Sequence, residues 1–221
     1  MADHIEDALI REVDEDLREE QMMKLWQRYG GFVVGIAVVI VAVVAGYQGW
    51  KHYDISTRTS ESERFVAAQQ LVQDGKTTEA QAALQQLAAD ASSGYGVMAK
   101  FQEAALLKQQ GDVQGASARY QEIARDTIGN VALSGLANIL SIMTEIDAGD
   151  YDVSAIEFRL SNLAEEDHPY RHSAHELQGL VALKAGDREK AHTIFEQLSK
   201  DKTAPQALRE RAVKMAQSLG S

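Results

Sequence analysis

The chain contains no cysteine, which excludes disulfide staples, thiolate zinc sites and a thiol nucleophile. Proline occurs only twice in 221 residues, and aromatic residues make up 6%. So few helix breakers, in a chain rich in Ala, Gln, Leu and Glu, predict an all-α fold. Positive charge is also short: 22 Lys and Arg stand against 33 Asp and Glu, a formal net charge of −11. Nucleic acid is excluded as a partner, because a phosphate backbone selects clustered cations. There is no G-x-S-x-G elbow, no Gly-rich phosphate loop and no H-E-x-x-H. No catalytic, cofactor-binding or metal-ligating residue is expected, and the chain does not read as an enzyme.

What is present begins with charge. Residues 1–28 form an acidic head, and residues 1–20 hold nine carboxylates against Arg11 and Arg18. Ile5, Leu9, Val13 and Leu17 recur at helical spacing, so the head is expected to be helical. It reads either as a docking helix for a partner or as a solvated lead-in.

Residues 29–50, from Tyr29 to Trp50, are 22 residues without a charge, set between Arg28 and Lys51. As a helix they cover roughly 33 Å, enough for a bilayer core of roughly 30 Å. Trp26 and Tyr29 at one end, and Tyr47, Trp50 and Tyr53 at the other, match interfacial aromatic belts. A transmembrane helix is therefore expected at 29–50, with the lipid bilayer as its partner. Val43-Val44-Ala45 fits a signal-peptidase site, but the long acidic head and the length of the apolar run favour an uncleaved anchor. Orientation is not set by charge. Arg18, Lys24 and Arg28 on one side balance Lys51, Arg58 and Arg64 on the other. Gly31 and Gly35 form a single GxxxG pair, a weak signal for helix pairing.

After a neck at residues 51–64, residues 65–221 repeat themselves. Gly75, Gly111, Gly149 and Gly186 are spaced by 36, 38 and 37 residues. Five, nine and twelve residues after three of these glycines stand Ala80, Leu84, Leu87; Ala116, Tyr120, Ile123; and Ala191, Phe195, Leu198. The third unit is degenerate, with Ser154, Phe158 and Ser161. Before each Gly, at seven and four residues, stand Ala68 and Leu71, Ala104 and Leu107, Ile142 and Glu145, Gly179 and Ala182. This is the pattern of a helical hairpin. Gly ends one helix in the left-handed conformation, and Thr77, Asp112, Asp152 or Asp187 caps the next. The i, i+4, i+7 stripe then packs back on the first helix. A single hairpin cannot bury that face; about four in succession plus a C-terminal helix can.

The segment "LQGLVALKAGDREKAHTIFEQL", with Gly179, Gly186, Ala191 and Phe195 in place, resembles the tetratricopeptide repeat. "AALLKQQGDVQGASARYQEI" and "AQQLVQDGKTTEAQAALQQL" match more loosely. The periods exceed the usual length of about 34, and the closing Pro is missing from most units. The expected fold is thus an N-terminal transmembrane helix followed by a TPR-like α-solenoid. The order of the whole chain is an acidic head "REVDEDLREEQMMKLWQRYGG", one apolar span, then repeats containing "PYRHSAHELQGLVALKAGD". In this it is similar to the YfgM-type family of membrane-anchored TPR-like proteins of Gram-negative bacteria. That resemblance implies a bacterial inner-membrane protein with its N-terminus in the cytoplasm and its repeats in the periplasm. It also implies an ancillary place beside the Sec translocon, with translocon subunits, periplasmic chaperones or client segments as partners. The alternative is a cytoplasm-facing scaffold or regulator of another envelope complex.

Three groups of residues invite a chemical reading. His168, His172 and His175 in "DHPYRHSAH" have partial metal-ligand spacing, yet the segment reads first as an exposed polar helix start near Pro169. The carboxylate pairs Glu165-Glu166 and Asp150-Asp152 read as helix-end charges. Met98, Phe101 and Tyr120 read as core more than as the lining of a ligand groove.

Overall fold

A computed structural model of the chain describes residues 3–149 and 151–220, with side chains from residue 22 onward. Among the described residues there are helices and no strands. In chain order they are α1 (Asp3–Gln73), α2 (Thr77–Asp90), α3 (Gly94–Gln109), α4 (Val113–Asp126), α5 (Val131–Ala148), α6 (Val153–Leu163), α7 (Arg171–Lys184), α8 (Arg188–Lys200) and α9 (Gln206–Leu219). The chain divides into two compact units, Met1–Thr59 and Ser60–Ser221. Residues 51–64, expected as a neck, lie within α1. The side chains of Ile5, Leu9, Val13 and Leu17 in the acidic head lie outside the described ones.

In the first unit the apolar side chains of α1 find no protein cover. Phe32 is 72% exposed, and Val33, Val38, Val41 and Val43 lie open around the helix. A helix segment that is apolar all round suits a bilayer or the core of a protein. By length and composition it can cross a membrane; α5 is also long and apolar, but has Ile139, Ile142 and Ile146 buried inside the second unit. α5 is a core helix.

In the second unit the four glycines act as the spacing requires. Gly75, Gly111, Gly149 and Gly186 have φ of 75°, 86°, 81° and 85°, and no other described residue has positive φ. Three corners close by the same pair of hydrogen bonds. Lys76, Asp112 and Asp187 N–H reach Leu71, Leu107 and Ala182 C=O, while the glycines bond one turn back to Val72, Lys108 and Leu183. Around Gly186 there is open space for a Cβ, so only backbone strain opposes a side chain there. Gly186→Ala is therefore expected to cost about 1 kcal/mol, read from the urea midpoint of the full chain.

Capping differs from the expectation at one corner. Asp112, Asp152 and Asp187 accept the N–H of Gly115, of Ser154 and Ala155, and of Lys190. Thr77 does not cap: it is the first residue of α2, behind an N-cap Lys76 that makes no side-chain bond.

These caps set the register. The stripe lies four, eight and eleven residues after the cap in every hairpin, giving Ala80, Leu84, Leu87; Ala116, Tyr120, Ile123; Ile156, Leu160, Leu163; and Ala191, Phe195, Leu198, all buried. In the third hairpin the cap stands three residues after the glycine instead of one. Ser154, Phe158 and Ser161 consequently miss the core, and Phe158 is 69% exposed. Each fully buried Leu of a stripe contributes roughly 1.5–3 kcal/mol.

Side-chain size then sets helix spacing. Where other hairpins have Ala or Gly at the two close-approach positions, the third has Ile142 and Ile156, both buried. α5 and α6 meet less closely than α3 and α4 or α7 and α8, joined by a cluster of Ile139, Ile142, Ile146, Leu160, Val181 and their neighbours. α9 ends the series by covering α8 with Leu208, Ala212 and Ala216, while Arg209, Glu210, Lys214 and Gln217 keep its other side polar.

Candidate protein-binding groove

A polar ladder crosses the helices of the first hairpins. Glu103 on α3 is 4% exposed, and its carboxylate would be costly to bury alone. It is matched from two sides. Gln85 on α2 donates to its Oε1 (2.9 Å), and Arg119 on α4 donates through Nε to its Oε2 (2.7 Å). Arg119 also donates to Glu122 (2.6 Å), which pairs with Lys100 (3.4 Å). Lys100 in turn bonds Asp126. That bond holds the Lys100 ammonium above its ordinary range and the Asp126 carboxyl below its own.

A second rung repeats the first. Glu145 on α5 accepts Arg159 of α6 (2.8 Å) and Gln121 of α4 (3.2 Å). Ser117 (2.6 Å) and Ser141 (2.8 Å) complete its shell. Burial pushes the Glu145 carboxyl up, but bonds from Ser117, Arg159 and Ser141 more than offset it and hold it below the usual carboxylate range. Arg119 and Arg159 each stand seven residues past their caps, Asp112 and Asp152, and Gln85 and Gln121 nine past Lys76 and Asp112. Counting from the glycines hides this equivalence, because the third cap is displaced; counting from the caps would have found it.

Over the first rung lies an open groove of about 430 Å³, lined by Gln85, Glu103, Leu107, Gly115, Arg119 and Arg125 among others. Within it Glu103 and Glu122 are both paired with Arg119. Small residues and hydrogen-bonding side chains along helix edges suit an extended or helical polypeptide segment. A second cleft, about 360 Å³, lies at the third corner between Gly149, Tyr151, Val153 and Lys184. There the Lys184 ammonium donates to Ile146 C=O (3.0 Å), satisfying an end carbonyl of α5.

The residues singled out in sequence are not brought together. Among the described residues no three His, Asp or Glu are gathered as metal ligands. His168 packs with Tyr170 against Gly135 of α5, His172 faces Asp201, and His175 bonds Gln178. The expected exposed helix start is thus corrected: these histidines are partly buried, His168 because Gly135 leaves a notch in α5 that the connector fills, and His172 because the corner after α8 packs against it. Asp150 lies outside the described residues, and Asp152 is the α6 cap. Tyr120 is buried, with Phe101 6.1 Å from it in the core, whereas Met98 is exposed. Gly31 and Gly35 sit in a shallow apolar dent on α1 with Phe32, Ile36, Val39 and Ile40.

With these hairpins, corners and grooves described, comparison with known families gives one result: the tetratricopeptide repeat-like domain matches residues 23–218. The chain belongs to that family. No curated protein and no solved structure matches it.

Proposed function

We propose that this tetratricopeptide repeat-like chain is a single-pass inner-membrane scaffold that binds proteins through its repeat unit. Its N-terminus faces the cytoplasm and its repeats the periplasm, where it serves as an ancillary factor beside the Sec translocon and aids the folding of exported proteins. One observation carries the reading: the apolar side chains between Tyr29 and Trp50 are exposed all round α1, in a chain whose remainder is helical hairpins. Anchoring raises the concentration of the repeat grooves near a membrane partner without any chemical step. The resemblance to the YfgM-type family supplies the compartment and the translocon.

Two measurements test it. An alkaline phosphatase fused to the C-terminus should be active, and a green fluorescent protein fused there should be dark; the reverse would establish the cytoplasm-facing scaffold. Crosslinking the full chain in membranes should recover translocon subunits. Enrichment of a different envelope complex, without them, would overturn the translocon role while leaving the anchor and scaffold intact.

A further inference from the structure

Two histidines at the junction of α6 and α7, His168 in the connector and His172 in the first turn of α7, grip different parts of the repeat unit. His168 lies against α5, where a Cβ on Gly135 would stand 2.7 Å from its ring. Its Nδ1 accepts the N–H of Tyr170 (3.1 Å), which fixes the proton of the neutral ring on Nε2. His172, four residues on, lies against the corner between α8 and α9. Its Nε2 accepts from Arg171 Nε (3.2 Å), which leaves the proton on Nδ1. That Nδ1 is buried, has no hydrogen-bond partner, and stands 3.3 Å from Asp201 Oδ2. Arg171 spans the same junction, donating to Glu166 C=O (2.9 Å) and to Thr203 Oγ1 (2.5 Å).

We infer that residues 168–172 form a proton-sensitive clasp, closed when both histidines are neutral and loosened when they are charged, which ties α5 to the corner between α8 and α9. Both hydrogen-bond sets require an unprotonated nitrogen. A proton on His172 Nε2 would confront Arg171 Nε–H with a second donor, and a proton on His168 Nδ1 would do the same to Tyr170 N–H. The charges around them do not compensate. His172 meets Asp201 from the corner, but Arg171 and His175 from its own helix. Among the described residues the charge acting on His168 is Glu165 of the connector, and residues 131–140 of α5 contain no ionisable side chain. Burial depresses the affinity of both rings for protons, with Arg171 adding to the effect at His172. A base whose folded pKa is lowered stabilises the closed state above its unfolded value, about 6.5, and that stability is lost as pH falls below it. The clasp sits beside the α5–α6 hairpin, whose helices meet less closely than α3 and α4 or α7 and α8, so its release reaches the junction of α5, α6 and α7 first.

Amide hydrogen exchange on the full chain, corrected for intrinsic rates, tests this. Between pH 7.5 and 5.5 the protection of residues 171–177 should fall severalfold, while residues 84–87 of α2 stay constant. His168→Asn/His172→Asn keeps an acceptor for Tyr170 and a donor toward Asp201, and should abolish the difference. Equal protection at both pH values, or an unchanged response in the double variant, would overturn the clasp. Should that variant fail to fold, imidazole titration by NMR in the wild-type chain decides: two rings titrating below 6.5 support it, and titration of either at 6.5 or above refutes it.

Discussion

Phe195→Ala should destabilise the full chain by about 3–5 kcal/mol, and it should reverse the sign of a second substitution, Gly179→Ala. Phe195 is 1% exposed, set among Ala182, Ala191 and Leu198. Its ring touches the bare backbone of α7 at Gly179, where a Cβ would lie 2.7 Å from Cζ and about 3 Å from both neighbouring ring carbons. In the wild-type chain Gly179→Ala gains about 1 kcal/mol of helix propensity but forces a ring with no free space, at a cost of about 1–3 kcal/mol. Overpacking wins, and the net change is a loss. In the Phe195→Ala background the obstruction is gone, so the same substitution keeps only its propensity gain and partly fills the cavity. The double-mutant cycle, read from denaturant unfolding, should give a coupling of about 2 kcal/mol. Additive effects would mean that the crossing of α7 and α8 does not rest on this contact.

That crossing was legible in the sequence because everything it needs is local: a glycine, a corner and an aromatic at fixed offsets. The same holds for Gly75, Gly111 and Gly186, each followed directly by the cap position. The third hairpin shows where offsets fail. Two extra residues between Gly149 and Asp152 move the buried stripe from Ser154, Phe158 and Ser161 to Ile156, Leu160 and Leu163. Periodicity measured from the glycine reads that as degeneracy, yet the helix is regular when measured from its cap. The ladder of Gln85, Glu103 and Arg119 was hidden for another reason. Charged residues at helical spacing look alike whether they face water or a partner, and only the pairing of three helices distinguishes them. His168 and His172 were read as exposed because what covers them lies far off in sequence: the notch at Gly135 of α5 receives His168, and Asp201 after α8 faces His172.

The second rung of the ladder yields the other large effect. Arg159→Leu should cost about 2–3 kcal/mol, below the range for a fully buried pair because both side chains keep about a fifth of their surface, 22% and 21%. The loss comes less from the missing attraction than from what remains. Glu145 keeps Ser117, Ser141 and Gln121 as donors, yet no charge opposes its own among the contacts on α4, α5 and α6. Removing the carboxylate as well, in Glu145→Leu/Arg159→Leu, should therefore recover most of the stability, since two aliphatic side chains suit the isoleucine-rich junction of α5 and α6. The pH dependence separates this from ordinary loss of packing. A carboxyl held below its usual range contributes stability above about pH 4.3 that disappears as pH falls through the folded value. Without Arg159 that depression shrinks, so Arg159→Leu should begin acid unfolding at a higher pH than the wild type, and the double variant should lose this site's acid dependence. An Arg159→Leu chain with an unshifted acid limb would show that Glu145 is held by its hydroxyl and amide donors alone, and that the second rung is a hydrogen-bond network rather than an ion pair.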